Sequence, residues 1–230
     1  MEKYALVLRF VASLQSWGER AIGRDIRDTA LFPTKSGVVG LLGCALGIER
    51  GNKELVALSA SLQMAVRADR PGRIVEDFQT ARANVMGRAN GAKTKKTKSV
   101  SNTVIIRRSY LEDSAFTVFL FGEKMLLERL ALALQQPKWT LYLGRKSCVP
   151  SVPIFDKLTS YETVRALLEN YPLFGNDKTF NTLNFIPVEV DESLHAIEGN
   201  RIYRNDETLS AFYSFGVRPV IRGVIQLHAS

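Results

Sequence analysis

Residues 143–148, Leu-Gly-Arg-Lys-Ser-Cys, place a glycine before two cations and a hydroxyl at the end of an apolar run. Glycine allows another backbone or a ligand to approach closely, and the planar guanidinium of Arg145 suits a phosphate or a base. Lys146 adds a second positive charge, and Ser147 adds a hydroxyl that donates and accepts hydrogen bonds. These residue types in this order favour contact with an anionic ligand such as a nucleic-acid backbone.

A second polar segment, Pro33-Thr34-Lys35-Ser36-Gly37, comes directly before an apolar pattern of helical spacing. A Walker phosphate loop needs a glycine several residues before its Gly-Lys-Ser/Thr, and the order here differs, so we exclude nucleotide hydrolysis. Free amides at a helix N-terminus, with Lys35 and Ser36, still suit one RNA phosphate.

A third segment, Leu14-Gln15-Ser16-Trp17-Gly18, sets an aromatic ring beside two polar side chains just after a predicted strand. If the Trp17 indole is exposed, it can stack on a base while Gln15 and Ser16 hydrogen-bond to the base. If it is buried, it anchors the turn into the core. The residues alone leave both interpretations open.

The side chains that general acid–base chemistry uses most often are scarce. The chain has two histidines, His195 and His228, and neither forms a plausible pair with a nucleophile in sequence. The acids near His195 lack metal-ligand spacing. We therefore expect a protein with no catalytic residue, no metal site and no cofactor.

The net charge of +8 is concentrated in one segment, because no Asp or Glu occurs between Asp77 and Glu112. The cations of this segment are Arg82, Arg88, Lys93, Lys95, Lys96, Lys98, Arg107 and Arg108. A charge run is often only a solvated loop, but ordinary surfaces mix both signs. The exclusion of acids favours a polyanionic partner, with nucleic acid the first candidate.

Elements that position these residues follow from hydrophobic periodicity. Strands are predicted over 4–10, 62–66, 116–121 and 139–143. A first helix is predicted to begin with Thr34 or Ser36 as its cap and to end at Gly47, and a second helix is predicted over 126–134. This β-α-β-β-α-β order predicts an α+β, ferredoxin-like (RRM-like) domain over residues 1–157. The basic segment becomes an arm, residues 78–108, with 104–106 as its return strand.

Beyond residue 157 the periodicity weakens. A helix over 161–171 and strands over 185–190 and 217–227 predict a small β-rich C-terminal extension, residues 158–230, as a subdomain or as strands joined to the first domain.

Composition limits the class of protein. An apolar content of 46% over 230 residues predicts a true core, in one large domain or two small ones. The first residues do not resemble a signal peptide, and the longest apolar run, 38–46, is far short of a membrane span. We expect a cytoplasmic protein with no membrane partner, in which Cys44 and Cys148 stay reduced.

Three segments together resemble the CasD family, a subunit of the type I-E CRISPR surveillance complex, Cascade. They are residues 14–18, residues 32–47 (Phe-Pro-Thr-Lys-Ser-Gly-Val-Val-Gly-Leu-Leu-Gly-Cys-Ala-Leu-Gly) and residues 141–151 (Leu-Tyr-Leu-Gly-Arg-Lys-Ser-Cys-Val-Pro-Ser). They occur in the family's order and spacing, and the likeness covers most of the first 155 residues.

The resemblance implies a repeat-associated RNA-binding fold. It also implies a non-enzymatic subunit that holds the 5′ handle of the CRISPR RNA and caps the Cascade backbone. Its implied partners are that RNA and the backbone and large subunits, with target DNA contacted only indirectly, and the arm corresponds to the family's thumb. The RNA-binding residues assigned in this way, together with two arginines at the end of the arm, are Gln15, Ser16, Trp17, Lys35, Ser36, Arg107, Arg108, Arg145, Lys146 and Ser147.

Two other functions remain open. A sister branch of the family cuts repeat RNA with a tyrosine, a lysine and a histidine, so a metal-independent endoribonuclease is the alternative, although a Lys-His pair is missing here. The remaining class is an RNA chaperone without fixed partners. Cleavage of repeat RNA separates the first two functions, and co-purification with Cascade subunits separates both from the third.

Overall fold

The computed structural model describes residues 2–18, 21–22, 26–82, 103–175, 185–208 and 214–227. Arg82 is the last residue of a strand in this structure. The other cations of the predicted arm, Arg88, Lys93, Lys95, Lys96 and Lys98, and His228 lie outside the described residues.

Ten strands and four α-helices make up the part of the chain that the structure describes. The strands are β1 Lys3–Gln15, β2 Ala21–Ile22, β3 Ile26–Arg27, β4 Gln63–Arg70, β5 Arg73–Arg82, β6 Thr103–Phe121, β7 Phe155–Tyr161, β8 Phe185–Asp191, β9 Asn200–Thr208 and β10 Phe215–Gln226. The helices are α1 Lys35–Leu46, α2 Lys53–Ala60, α3 Lys124–Gln135 and α4 Val164–Asn170, with a 3-10 turn at Glu192–Leu194.

One mixed α/β fold with a mostly antiparallel sheet results. The main strand order is β7-β1-β6-β4-β8-β10-β9, and β3 alone among the described strands pairs in parallel, with β6. β1 alternates between two cores, because Leu6, Leu8 and Phe10 pack with α1 and α3 while its other face packs with α4.

The predicted first strand, first helix, second strand, third strand and second helix are confirmed. Thr34 caps α1 by accepting a hydrogen bond from the amide of Gly37, and Gly47 ends the helix. The predicted fourth strand over 139–143 is wrong, since β7 takes the place beside β1. The Leu143 amide donates instead to Cys148 O and its carbonyl accepts from Ser16, so this segment packs as a loop.

The arm begins as a two-stranded ribbon of β5 and the first half of β6. Its pairing runs from Arg73↔Glu112 to Arg82↔Thr103. Residues 104–106 are the return strand, as predicted, and pair with residues 79–81. The sequence pattern missed β5, as it missed α2.

C-terminal strands continue the same sheet rather than forming a separate layer. β8 pairs with β4, and β10 lies between β8 and β9. Residue 157, the predicted boundary, lies within β7. Within the described ranges, no helix is both long and apolar enough to cross a membrane.

Candidate nucleic-acid interface

The three polar segments singled out in the sequence meet at one end of β1. The Ser16 amide donates to Leu143 O at 3.2 Å, which joins the turn after β1 to the loop after α3. Gly144 has φ +92°, and a Cβ there would lie 1.6 Å from Ser16 O. Only glycine fits this crossing, which explains its place beside Arg145.

Burial decides between the two interpretations of Trp17. Its side chain is 1% exposed, and its ring stacks on Phe10 with centroids 5.3 Å apart. The indole N–H donates to Gln15 Oε1, and the Gln15 amide donates to the carbonyls of Phe10 and Ser114. The predicted base stacking by Trp17 and the predicted hydrogen bonding of Gln15 to a base are therefore corrected. Both side chains are buried, and their polar groups are hydrogen-bonded within the protein.

The N-terminus of α1 packs directly on this tryptophan. A Cβ at Gly37 would lie 3.0 Å from the Trp17 ring and 2.9 Å from Thr34 Oγ1. The polar Pro33–Gly37 segment therefore owes its glycine to packing and its threonine to capping.

Lys35 also differs from its predicted role. Its side chain is buried, and its ammonium lies 2.7 Å from a Glu207 carboxylate oxygen. The Lys35 backbone amide donates to Asp206 Oδ2 at 2.8 Å. The ammonium and the backbone amide of Lys35 are therefore both paired with acids of β9. The predicted phosphate contact at Lys35 is corrected to an internal ion pair.

Ser36 lies half-buried in a groove of about 500 Å³ beside α1. Small residues of α1, including Gly40, line this groove together with the aromatic residues Trp139 and Tyr142. Trp139 is 44% exposed, so an aromatic face is available here although the Trp17 face is not. The volume falls within the range of about 300–1,000 Å³ typical of ligand sites.

Arg145 is held beside this groove by neutral partners. Its guanidinium covers the Tyr110 ring at 4.5 Å and donates to Ser109 O and Arg27 O, both at 3.1 Å. Ser16 Oγ is 3.5 Å from the same Ser109 carbonyl. Since carbonyls and a ring do not cancel its charge, Arg145 keeps the capacity to bind an anion.

Two more arginines share the face of Arg145. Arg27 pairs with Arg108 in the parallel β3–β6 contact, so their side chains lie side by side. Tyr110 is two residues after Arg108 and therefore lies on the same face of β6. We call Arg27, Arg108 and Arg145 the guanidinium cluster.

This cluster carries a net positive charge. Across the described residues, no ion pair within 4.0 Å joins a carboxylate to Arg27, Arg108, Arg145 or Lys146. Asp77 is the cross-strand partner of Arg108, and its carboxylate accepts from the Gln79 amide. Arginines without an acidic partner on one face favour the binding of an anion there.

Lys146 and Ser147 are exposed next to the cluster, whereas Arg107 is not part of it. Arg107 lies on the opposite face of the arm, 3.8 Å from Glu76 Oε1. That face also carries the exposed apolar side chains Ile74, Phe78 and Ile105.

The two thiols near the groove are not poised as nucleophiles. Burial raises the pKa of Cys44 despite a hydrogen bond with Tyr142, and burial also raises the pKa of Cys148 despite its contacts with Arg145 and Ser147. A raised pKa keeps a thiol protonated at neutral pH. His195 lies in an exposed turn after the 3-10 helix.

Comparison with known proteins decides the family. The model of the CRISPR-associated protein family Cas5 matches residues 5–210. The CRISPR system Cascade subunit CasD of Escherichia coli (strain K12) is 36% identical over 182 residues, covering 75% of this chain and 79% of that protein. The chain belongs to the Cas5 family of CRISPR-associated proteins.

Solved structures agree with this family at the level of the whole fold. A chain of a CRISPR RNA-guided surveillance complex superposes with a TM-score of 0.74 at 27% identity, over 97% of this Cas5-family chain and 90% of its own. A crystal structure of a Cas protein superposes with a TM-score of 0.68 at 35% identity, over 96% and 95% of the two chains.

Sequence reasoning missed four residues of the candidate interface: Arg27, Trp139, Asp206 and Glu207. Arg27 lies in a segment that mixes cations and acids, so its charge does not stand out, and Trp139 belongs to the predicted strand over 139–143. The signal for Asp206 and Glu207 was weak, because their partner Lys35 lies 172 positions before Glu207.

Proposed function

We propose that this Cas5-family chain is a non-enzymatic RNA-binding subunit of a Cascade-type CRISPR complex, which holds the 5′ handle of the CRISPR RNA. The guanidinium cluster is the observation that carries this proposal. Its three arginines form no ion pair within the described residues, and backbone carbonyls hold Arg145 in a fixed position, which preorganises it for phosphate oxygens. The name of the E. coli relative, CRISPR system Cascade subunit CasD, agrees with it.

In this proposal, phosphates and bases are held by neighbouring parts of one surface. The guanidinium cluster, with Lys146 and Ser147, binds consecutive phosphates of a single strand. The groove receives an unpaired base against Trp139 and Tyr142, since aromatic faces stack bases of any sequence. Ser16 and Gly144 line the groove, and Ser16 shares the Ser109 carbonyl with Arg145.

The fold is assigned, as part of this proposal, to the ferredoxin-like, repeat-associated RNA-binding class. The strand order β7-β1-β6-β4, with α1 and α3 on one face, supports it. β8, β10 and β9 form the C-terminal extension of that sheet.

The arm makes the contact with a neighbouring backbone subunit. Its ribbon presents Ile74, Phe78 and Ile105 on the face opposite Arg108, and exposed apolar side chains in a row are typical of protein interfaces. The arm lysines beyond Arg82 supply further cations to the RNA.

Binding of handle RNA tests the proposal. Fluorescence anisotropy would use a labelled single-stranded RNA with the repeat-derived 5′ segment of a CRISPR RNA from the chain's own locus. We expect saturable binding that outcompetes a scrambled RNA, together with co-purification with Cascade backbone subunits. Equal affinity for both RNAs, with no Cascade subunit recovered, would support an RNA chaperone instead.

A further inference from the structure

The C-terminal hairpin of β9 and β10 forms one wall of the groove. Thr208 ends β9 and Phe215 begins β10, and the two are register partners. Both line the groove, as do Trp139 and Tyr142. The width of the groove therefore depends on where the end of this hairpin is held.

Acidic side chains directly before Thr208 fix that position. One Glu207 oxygen lies 2.7 Å from Lys35 Nζ, and the other accepts from Ser59 Oγ at 2.6 Å. These contacts tie β9 to the first turn of α1 and to α2. Glu207 is 21% exposed and Lys35 is 8% exposed, so the pair is only weakly screened by solvent.

Asp206 reinforces the same attachment. Its carboxylate accepts from the Lys35 amide at 2.8 Å and from Arg218 at 2.8 and 2.9 Å. Arg218 also pairs with Asp191 at the end of β8. The hairpin is thus bonded to the helix N-terminus on one side and to the sheet on the other.

We propose that Lys35 and Glu207 are positioning residues of the RNA site: their ion pair sets the hairpin wall against which a base is held. The inference rests on the proposed function for its ligand. Lys35 acts through Glu207 and makes no phosphate contact. The C-terminal extension, which carries none of the family-like motifs, thereby becomes part of the binding site.

A direct phosphate contact by Lys35 and a positioning role for Lys35 predict opposite effects of Glu207→Gln on RNA affinity. Glu207→Gln removes the acid that occupies Lys35 while keeping the side-chain shape. If Lys35 were a phosphate ligand masked by Glu207, the variant would bind RNA more tightly with a steeper salt dependence. If the pair positions the wall, the variant binds more weakly although it has lost a negative charge.

The experiment compares Glu207→Gln with Glu192→Gln by anisotropy with the handle RNA at several salt concentrations. Glu192 is a matched control, because it lies on the same extension, pairs with Arg201 at 2.8 Å and does not line the groove. We expect Glu207→Gln to weaken binding about tenfold relative to this control, with an unchanged salt slope. Affinity equal to or tighter than that of the control would overturn the inference.

A second measurement decides the inference without RNA. The chain has two tryptophans, and only Trp139 is exposed, so acrylamide quenching of fluorescence reports on the groove. We expect more quenching in Glu207→Gln than in Glu192→Gln, at an equal degree of folding by circular dichroism. Unchanged quenching would overturn the inference that the Lys35–Glu207 ion pair sets the hairpin wall. Failure of the wild-type protein to bind handle RNA would overturn the proposed function and leave this readout intact.

Discussion

The ammonium of Lys35 lies 2.7 Å from a carboxylate oxygen of Glu207, at the N-terminus of α1. A helix N-terminus favours an anion, and here the protein supplies that anion from its own C-terminal hairpin. The consequence is that the helix start offers no unpaired cation at Lys35, and the proposed RNA surface is therefore the guanidinium cluster.

The two tryptophans should respond oppositely to truncation. Trp17→Ala removes a fully buried ring and should lower the free energy of unfolding by about 3–5 kcal/mol. Trp139→Ala should leave stability nearly unchanged but weaken handle RNA binding by about 1–3 kcal/mol if a base stacks there. Urea unfolding and anisotropy check the pair, and loss of RNA affinity in a folded Trp17→Ala protein with normal affinity in Trp139→Ala would contradict it.

Acid should loosen the hairpin through Asp206. Burial opposes the charge of this carboxyl, but the hydrogen bonds and charge of Arg218, with the Lys35 amide, hold its pKa below the usual value. Because the folded pKa lies below the unfolded pKa of about 4, this stabilisation is complete above that pH and is lost as the pH falls through the folded value.

Asp206→Asn should therefore remove this component at every pH. Leaving Arg218 short of one buried partner should cost about 3–5 kcal/mol at neutral pH and flatten the acid limb of stability. Thermal melts from pH 7 down to pH 3 would show this, and an acid limb identical to that of the wild type would refute the assignment to Asp206.

Arg145 should be needed for RNA rather than for the core. Arg145→Ala should weaken handle binding by about 1.5–3 kcal/mol, the usual contribution of a hydrogen bond to a charged group. Arg165→Ala is the matched control, because Arg165 is an exposed arginine paired with Glu169 on α4. Equal affinity of the two folded variants would show that the RNA surface lies elsewhere.

Repeat RNA should remain intact with this protein, with or without divalent metal. Burial, with a hydrogen bond to Asp156, raises the pKa of Tyr171, so its hydroxyl stays protonated, as do the thiols of Cys44 and Cys148. A denaturing gel of labelled repeat RNA checks this expectation. Product bands that disappear in a His195→Ala or His228→Ala variant would support the endoribonuclease alternative.

Local patterns predicted the elements that carry strong periodicity. Thr34, the apolar stripe of α1 and Gly47 are all close in sequence, so helix, cap and end followed from neighbours. The strand predicted over 139–143 was wrong because its apolar residues pack as a loop across the end of β1. Its place beside β1 was taken by β7, whose burial is shallower and whose pattern is weaker.

The candidate site was predicted in part, for a physical reason. Arg108, Arg145 and Lys146 stood out by charge alone, and they remain on the exposed face. A tryptophan such as Trp17 can stack on an RNA base or on a ring in the core. A lysine such as Lys35 can bind a phosphate or form an internal ion pair. Phe10 is close to Trp17 in sequence, but only the turn after β1 brings the two rings together. Glu207, the partner of Lys35, becomes visible only when the chain is folded, because pairing over 172 positions leaves no local pattern.

The salt dependence of handle RNA binding tests the central claim most directly. Arg27→Ala/Arg108→Ala removes two guanidiniums that make no ion pair among the described residues, so folding should be preserved. If each binds one phosphate, the slope of log K against log salt should become shallower by about 1.4, at 0.7 per contact on a single strand. A slope unchanged from that of the wild type in the folded double variant would contradict the account.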